Sequence, residues 1–270
     1  MSFIDKIDRA IREKGKKEAR KTATVPTKST FLQDGKVTPA EFVQAGDLLR
    51  SKCPQWHWCT GKEENILPYL PRDKQFLELK GVPCRKRASA VTGSGLEKKL
   101  DEGEDDWVAP DEDVSKPAEA ASSSAAPSSS SDDEDDMFDF SDSSSAPSSA
   151  GPSFRTYDAT ITYDIYYYSP RLYLKGYAED GSTPLTPEQI FEDMATEHAN
   201  KTATVDEHPH LDVPTASIHP CKHAQTMKSL IDREKEAGRQ IKPEQYFFTF
   251  LKFVQTAIPT IELSGTVEAE

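Results

Sequence analysis

Residues 217–224 have the sequence Ser-Ile-His-Pro-Cys-Lys-His-Ala, which places one cysteine, Cys221, between two histidines. A proline-bearing loop gives way to a helical pattern at this cysteine. The N–H groups at a helix N-terminus and a neighbouring cation both stabilise a thiolate. A thiolate can attack an activated acyl group and hold it as a thioester, which an amine can later open. The stretch therefore predicts a nucleophilic cysteine.

The residue types alone leave three other interpretations of this stretch open. A free cysteine is most often buried and inert. A thiol protease is a second possibility, although no familiar protease signature surrounds Cys221. A zinc site is a third, although paired Cys-x-x-Cys modules are missing. Its ligands would come from His208, His210, His219, Cys221 and His223 or from Cys53 and Cys59. His219 and His223 can equally be capping or packing residues.

Three segments before Cys221 have the composition of β-strands. Residues 75–79 alternate with period two and are followed by a Gly-Val-Pro stop. Residues 157–168 and 172–177 are rich in Tyr, Ile and Thr and are separated by Ser169-Pro170-Arg171. We expect these last two segments to pair as antiparallel strands.

Four helices are predicted around these strands. Thr38-Pro39-Ala40-Glu41 provides an N-cap and an N1 proline, and Thr186-Pro187-Glu188-Gln189 opens a second helix to about His198. A third helix begins near Cys221, and a fourth runs from Pro243 to about Ala257. Residues 202–205 form a short extended piece, followed by a proline-rich loop. The order of elements predicts an α+β fold with an antiparallel sheet and flanking helices.

An acidic, serine-rich segment separates the first strands from the later ones. Residues 101–150 hold 16 Asp or Glu against Lys116, a local charge of −15, whereas the whole chain carries −13. The remainder is therefore slightly basic, about +2, and nothing in this pattern supports nucleic-acid binding. We expect residues 101–152 to be a disordered insert between two halves of one sheet. Its exposed apolar residues are either incidental or anchors for a partner: Trp107, Met137, Phe138 and Phe140.

The N-terminus predicts an amphipathic basic helix over residues 1–21. Phe3, Ile4, Ile7 and Ile11 share one face, and lysines and arginines crowd the other. Such a helix can lie in a membrane interface beside anionic head groups. The alternative is that it docks on the domain core.

Composition excludes several classes of protein. No apolar run approaches the roughly 20 residues that span a bilayer, and the N-terminus is too charged for a secretory signal. Four cysteines in a chain of 270 residues form no disulfide framework. We therefore expect a soluble intracellular protein, with no metal site.

Several motifs together resemble the autophagy family of E2-like enzymes that lipidate a ubiquitin-like protein. The resemblance covers nearly the whole chain outside the insert. It is carried by the 219–224 motif, Phe250 to Gln255, Ile258 to Glu262, Thr38 to Val43, Trp56-His57-Trp58, Lys74 to Leu77 and Arg155 to Asp158.

This resemblance implies an E2-like fold formed by residues 22–100 and 153–262, followed by a tail at 263–270. It also implies that Cys221 accepts the ubiquitin-like protein as a thioester from an E1-like enzyme and passes it to phosphatidylethanolamine. A family threonine stands near the cysteine, here Thr202, so the expected catalytic set is Cys221, Thr202 and His219.

Further expectations follow from the same resemblance. They are no cofactor, an E3-like conjugate complex as a partner, docking of the insert on the E1-like enzyme, and a cytoplasmic protein peripherally bound to autophagic membranes. Two alternatives remain at this point. One is a noncatalytic scaffold with the same fold, and the other is a sister enzyme that conjugates to a protein lysine.

Overall fold

The computed structural model describes residues 14–88 and 154–263. The centre of the fold is a six-stranded antiparallel sheet. The strands are β1 (His57–Cys59), β2 (Phe76–Cys84), β3 (Arg155–Asp164), β4 (Ser169–Tyr177), β5 (Ala203–Glu207) and β6 (Pro214–Ile218). Their order across the sheet is β1-β2-β3-β4-β6-β5. The antiparallel sheet with flanking helices confirms the predicted α+β, E2-like class. β2 and β3 pair with each other, as expected for strands on either side of an insert.

Helices and single 3-10 turns flank the sheet. The helices are α1 (residues 14–22), α2 (Phe31–Asp34), α3 (Pro39–Lys52), α4 (Pro187–Phe191), α5 (Thr196–Lys201), α6 (His223–Glu236) and α7 (Tyr246–Ala257). The 3-10 turns are Glu63–Asn65, Pro220–Lys222 and Pro243–Gln245. Both predicted helix starts are confirmed, and each is a capping box, because Thr38 and Thr186 each exchange hydrogen bonds with the residue three positions later.

Aromatic side chains form the core between the sheet and helices α3 and α7. The fully buried ring of Phe42 on α3 contacts Tyr163 of β3 at 5.5 Å and Phe247 of α7 at 5.4 Å, between ring centroids. Each contact is edge-on, the arrangement that aromatic pairs prefer. Burying one such side chain contributes about 1.5–3 kcal/mol. This core holds α7 against the sheet.

The predicted end of the first long strand is wrong. β2 continues past Leu79 through the Gly-Val-Pro sequence to Cys84. The pairing with β3 shifts register between Leu79 and Val82, and Gly81 takes a positive φ of 67°. A glycine in this conformation forms a bulge, so the chain absorbs the extra residue and resumes the strand.

The helix predicted from Thr186 to His198 is interrupted. α4 ends at Phe191, and α5 starts at Thr196. Between them the side chain of Asp193 is fully buried, and the Ala195 N–H donates to the Ala257 carbonyl oxygen at 2.9 Å. These tertiary bonds outweigh the helical pattern of the sequence.

Two strands and one turn differ from the sequence interpretation. β1 was not predicted, and β6 occupies residues assigned to the proline-rich loop. β3 ends at Asp164, and the turn to β4 is formed by residues 165–168 rather than by Ser169-Pro170-Arg171. An Asp164 carboxylate oxygen accepts the N–H groups of Tyr166 and Tyr167, which closes the turn early.

Asp193 joins the two chain segments that flank residues 89–153. Its carboxylate accepts a hydrogen bond from Arg87, just before this gap, at 3.3 Å and from Arg155, just after it, at 3.0 Å. The Tyr157 hydroxyl donates to the same carboxylate. The insert and its residues Trp107, Met137, Phe138 and Phe140 lie outside the described residues.

The described part of the N-terminal segment is helical and docks on the domain. Residues 14–22 form α1, and Lys17 Nζ lies 2.6 Å from an Asp212 carboxylate oxygen in the β5–β6 connection. The predicted membrane-facing residues Phe3, Ile4, Ile7 and Ile11 lie outside the described residues. No helix in the ranges 14–88 and 154–263 is long and apolar enough to cross a bilayer.

Candidate active site

Cys221 is exposed in the 3-10 turn that joins β6 to α6. His219 caps this turn, and its Nδ1 accepts the Cys221 backbone N–H at 3.3 Å. Pro220 occupies the first helical position, where its fixed φ favours a helix start. Cys53 and Cys84 are buried and Cys59 is partly buried. The exposed position of Cys221 overturns the interpretation that it is an inert buried thiol.

Thr202 faces His219 across the β5–β6 hairpin. The His219 N–H donates to the Thr202 carbonyl oxygen at 2.8 Å. Thr202 directly precedes β5, and His219 directly follows β6. The hairpin therefore brings Thr202 and His219 together, with Cys221 two residues beyond His219.

The His219 ring has a defined environment. It packs edge-on against the Tyr167 ring in the β3–β4 turn, with centroids 5.3 Å apart. Partial burial lowers the pKa of His219, the Arg171 charge lowers it further, and Asp206 and Asp164 oppose the shift. A lowered pKa favours the neutral imidazole, which has a free lone pair on one nitrogen. That lone pair accepts the Cys221 N–H.

A polar network beside His219 was missed by the sequence analysis. Arg171 of β4 donates from Nη2 to Thr204 Oγ1 at 3.0 Å and to Ser217 Oγ at 2.8 Å, and it pairs with the Asp206 carboxylate. One signal was present in the sequence. Arg171 follows Pro170 and precedes three consecutive strand-forming residues, and a charged group at a buried position requires partners.

His223 anchors the first turn of α6 in the core. It is completely buried, its ring packs edge-on against Phe250 and Phe253, and Nδ1–H donates to the Pro170 carbonyl oxygen at 2.9 Å. Burial lowers the pKa of His223 to about 4. The sequence had allowed a packing role for this residue, and the structure confirms it.

The residues proposed as zinc ligands occupy different environments. His208 and His210 are buried against the Phe76 ring, with centroids 5.2 Å away in each case. His219 caps the cysteine turn, and His223 lies in the core. Within the described ranges, no three His, Cys, Asp or Glu side chains are grouped to hold a metal ion.

The sequence matches a family model described as "Autophagocytosis associated protein, active-site domain" over residues 41–264. That range is most of the chain and contains the Cys221 turn, the hairpin and the Arg171 network. The chain belongs to this autophagy-related family.

Relatives named "Autophagy-related protein 3" are similar over nearly the whole chain. The protein of that name from Dictyostelium discoideum is 37% identical, and the similarity covers 98% of this chain and 99% of the relative. The relative from Arabidopsis thaliana is 34% identical, and the similarity covers 90% of this chain and 90% of the relative. The relative from Schizosaccharomyces pombe is 36% identical, and the similarity covers 89% of this chain and 92% of the relative.

Membership of the autophagy-related protein 3 family identifies the activity class. The chain is an E2-like conjugating enzyme of autophagy, as the resemblance implied. Membership also implies interaction with an autophagy ubiquitin-like protein and with its activating enzyme. The active-site domain of the family places the chemistry within residues 41–264.

Proposed function

We propose that Cys221 carries the ubiquitin-like protein as a thioester and transfers it to phosphatidylethanolamine. The observation that supports this role most strongly is the exposure of Cys221 at the start of a 14-residue helix, in a turn capped by His219. Backbone N–H groups at a helix start favour negative charge on a neighbouring sulfur.

The first step is acyl transfer between two thiols. The Cys221 thiolate attacks the thioester carbonyl carbon held by the E1-like enzyme, and a tetrahedral oxyanion forms. The oxyanion collapses, the thiolate of the E1-like enzyme leaves, and the C-terminal glycine of the ubiquitin-like protein becomes bonded to Cys221 Sγ.

The second step forms an amide. The neutral amine of phosphatidylethanolamine attacks the carbonyl carbon of the Cys221 thioester and forms a C–N bond. The nitrogen releases a proton to water, the C–S bond breaks, and the Cys221 thiolate leaves. We assign Thr202 as a hydrogen-bond donor to the oxyanion. Its carbonyl oxygen accepts a hydrogen bond from the His219 N–H, which holds it near the Cys221 turn, and its hydroxyl can donate one hydrogen bond. His219 holds the cysteine turn through Nδ1.

Three finer assignments belong to the same proposal. The protein is cytoplasmic, and its residues Phe3, Ile4, Ile7 and Ile11 bind the membrane peripherally. This contact would bring Cys221 to its lipid substrate. Trp107, Met137, Phe138 and Phe140 dock the E1-like enzyme. An E3-like conjugate complex stimulates the transfer.

The decisive experiment loads the chain with the ubiquitin-like protein, using ATP and its E1-like enzyme, and resolves the products on nonreducing gels. We expect a thiol-sensitive adduct in the wild type and a thiol-resistant oxyester in Cys221→Ser. Cys59→Ser is the matched control and should form the normal adduct. If an E1-like enzyme that demonstrably carries the ubiquitin-like protein as a thioester gives no adduct on this chain, the acyl-carrier role is wrong. A noncatalytic scaffold then becomes the better explanation.

A second arm tests the acceptor. The loaded chain is mixed with vesicles that contain phosphatidylethanolamine or only phosphatidylcholine. Transfer to the first and not to the second supports the lipid amine as acceptor. Equal discharge in both would contradict it.

A further inference from the structure

The β5–β6 hairpin is joined to the rest of the sheet by a short ladder. β4 and β6 pair at Tyr173–Ser217 and Leu174–Ala216. In contrast, β3 and β4 pair continuously from Thr156–Tyr177 to Asp164–Ser169. The hairpin carries Thr202 and His219 side by side at its open end, so a short ladder positions both candidate site residues.

Arg171 supplements this ladder with a side-chain bridge. The residue lies on β4 and is 8% exposed, and its guanidinium crosses β6 at Ser217 to reach Thr204 and Asp206 on β5. Three strands are therefore tied together by one planar cation. Hydrogen bonds from a guanidinium to a carboxylate are strong and fix geometry.

We propose that Arg171 is a positioning residue for acyl transfer, which holds the hairpin so that Thr202, His219 and the Cys221 turn keep their reactive arrangement. This inference rests on the proposed role of Cys221. Arg171 acts through the hairpin and through His219, whose Nδ1 lone pair holds the cysteine N–H.

The charges around His219 give this role a distinctive signature. Arg171 faces it from β4, Asp206 from β5, Asp164 from the end of β3, and the Tyr167 ring from the β3–β4 turn. The Arg171 charge lowers the pKa of His219, whereas the Asp206 charge raises it. Removing one partner of the Arg171–Asp206 pair should therefore move the titration of His219 in the opposite direction from removing the other.

The test compares Arg171→Met, Arg171→Lys and Asp206→Asn with the wild type, all as full chains. His219 is titrated by NMR between about pH 5 and about pH 8. Each chain is also loaded with the ubiquitin-like protein, and its discharge to phosphatidylethanolamine vesicles is followed in a single turnover. Arg239→Met, which removes an exposed arginine paired with Glu234, is the matched control.

We expect Arg171→Met to accept the ubiquitin-like protein and to discharge it about tenfold more slowly than the wild type. The His219 titration should move to higher pH in Arg171→Met and to lower pH in Asp206→Asn. Arg171→Lys keeps the positive charge but loses the planar guanidinium that bonds several acceptors at once. The His219 titration should therefore stay near that of the wild type, while discharge should remain slow. Arg239→Met should change neither measurement.

Two results would overturn the inference. One is discharge by Arg171→Met at the wild-type rate. The other is a His219 titration that shifts in the same direction in Arg171→Met and Asp206→Asn, because that would indicate general loosening of the fold. The titration needs no ubiquitin-like protein, so it tests the action of Arg171 on His219 even if Cys221 forms no adduct. Failure to form an adduct would count against the proposed function instead.

Discussion

The two halves of the sheet are built differently. Strands β2, β3 and β4 pair along most of their length and pack on the aromatic core under α3 and α7. The β5–β6 hairpin has a short ladder to β4, and its face beside Cys221 is held by the Arg171 network. The residues assigned to chemistry lie on the second half.

This difference separates stability from activity. A substitution in the continuous half, apart from the bridging residue Arg171, should lower the free energy of unfolding and leave the activity of each folded molecule nearly unchanged. A substitution of a polar residue at the hairpin should lower activity and leave the free energy of unfolding nearly unchanged, because the hairpin contributes few residues to the described apolar core, Ala216 and Ile218 among them. Four substitutions test that separation.

The largest effect is expected from Asp193→Asn. The substitution removes the buried negative charge with which both Arg87 and Arg155 pair. Removal of one partner from a buried ion pair costs about 3–5 kcal/mol, and urea unfolding should show a loss near the lower end because Arg87 is partly exposed.

Asp73→Asn is the control for this substitution, because Asp73 is an exposed aspartate on the same domain. It should leave the free energy of unfolding nearly unchanged. If Asp193→Asn unfolds at the same urea concentration as Asp73→Asn, the buried carboxylate does not stabilise this half of the fold.

Thr202→Val should lower activity and preserve stability. The substitution keeps the shape of the side chain and removes the hydroxyl that we assign to the oxyanion. Loss of one oxyanion donor slows acyl transfer by about a hundredfold or more. Single-turnover discharge from Cys221 measures the rate, and thermal unfolding measures stability. Thr256→Val, which alters a threonine on α7, should leave the discharge rate unchanged.

Acid should destabilise the protein through its buried histidines. The pKa of His223 is lowered by burial to about 4, so the unfolded chain binds this proton more readily than the folded chain. Its stabilising contribution is full above the unfolded pKa of about 6.5 and is lost progressively as the pH falls towards 4. Each such histidine contributes up to about 1.4 kcal/mol per pH unit in that window.

His223→Gln tests this dependence through urea unfolding at several pH values. The free energy of unfolding should fall less steeply with acid in His223→Gln than in the wild type. His57→Gln changes an exposed histidine on β1 and should keep the wild-type slope. Identical slopes in all three chains would rule out His223 as a source of the acid sensitivity.

The smallest effect is expected from Lys17→Met. Lys17 pairs with Asp212 at 2.6 Å, but Lys62 and Asn65 also bind Asp212, so the carboxylate keeps partners without Lys17. A partly exposed ion pair contributes about 1 kcal/mol or less. Thermal unfolding should show a small decrease that shrinks at high salt. A decrease as large as that of Asp193→Asn would mean that α1 is integral to the fold.

Much of the fold could be predicted from local patterns. The N-cap signals at Thr38 and Thr186 marked helix starts correctly, and the Tyr- and Thr-rich segments marked β3 and β4. Two of the errors share a cause, because each depends on distant residues. β2 passes Gly81 by bulging against β3, and the chain leaves α4 because Asp193 binds Arg87 and Arg155.

The candidate site was predicted only in part, for a related reason. The motif around Cys221 marked the turn and its histidines. The Arg171 network could not be derived in the same way, because its partners Thr204, Asp206 and Ser217 come from two other strands. Their proximity depends on strand order, which places β6 between β4 and β5.

The Asp193 contacts at either side of residues 89–153 have a consequence for how this chain can vary. Because Arg87 and Arg155 bind one carboxylate, and β2 pairs with β3, the ends of the intervening segment are fixed whatever its length. The entropic cost of bringing together the two ends of a connecting segment grows only logarithmically with its length, by about 0.6 kcal/mol for each doubling of the number of residues. Insertions and deletions between residues 88 and 154 are therefore thermodynamically cheap, and this stretch of sequence can change while the described domain stays folded.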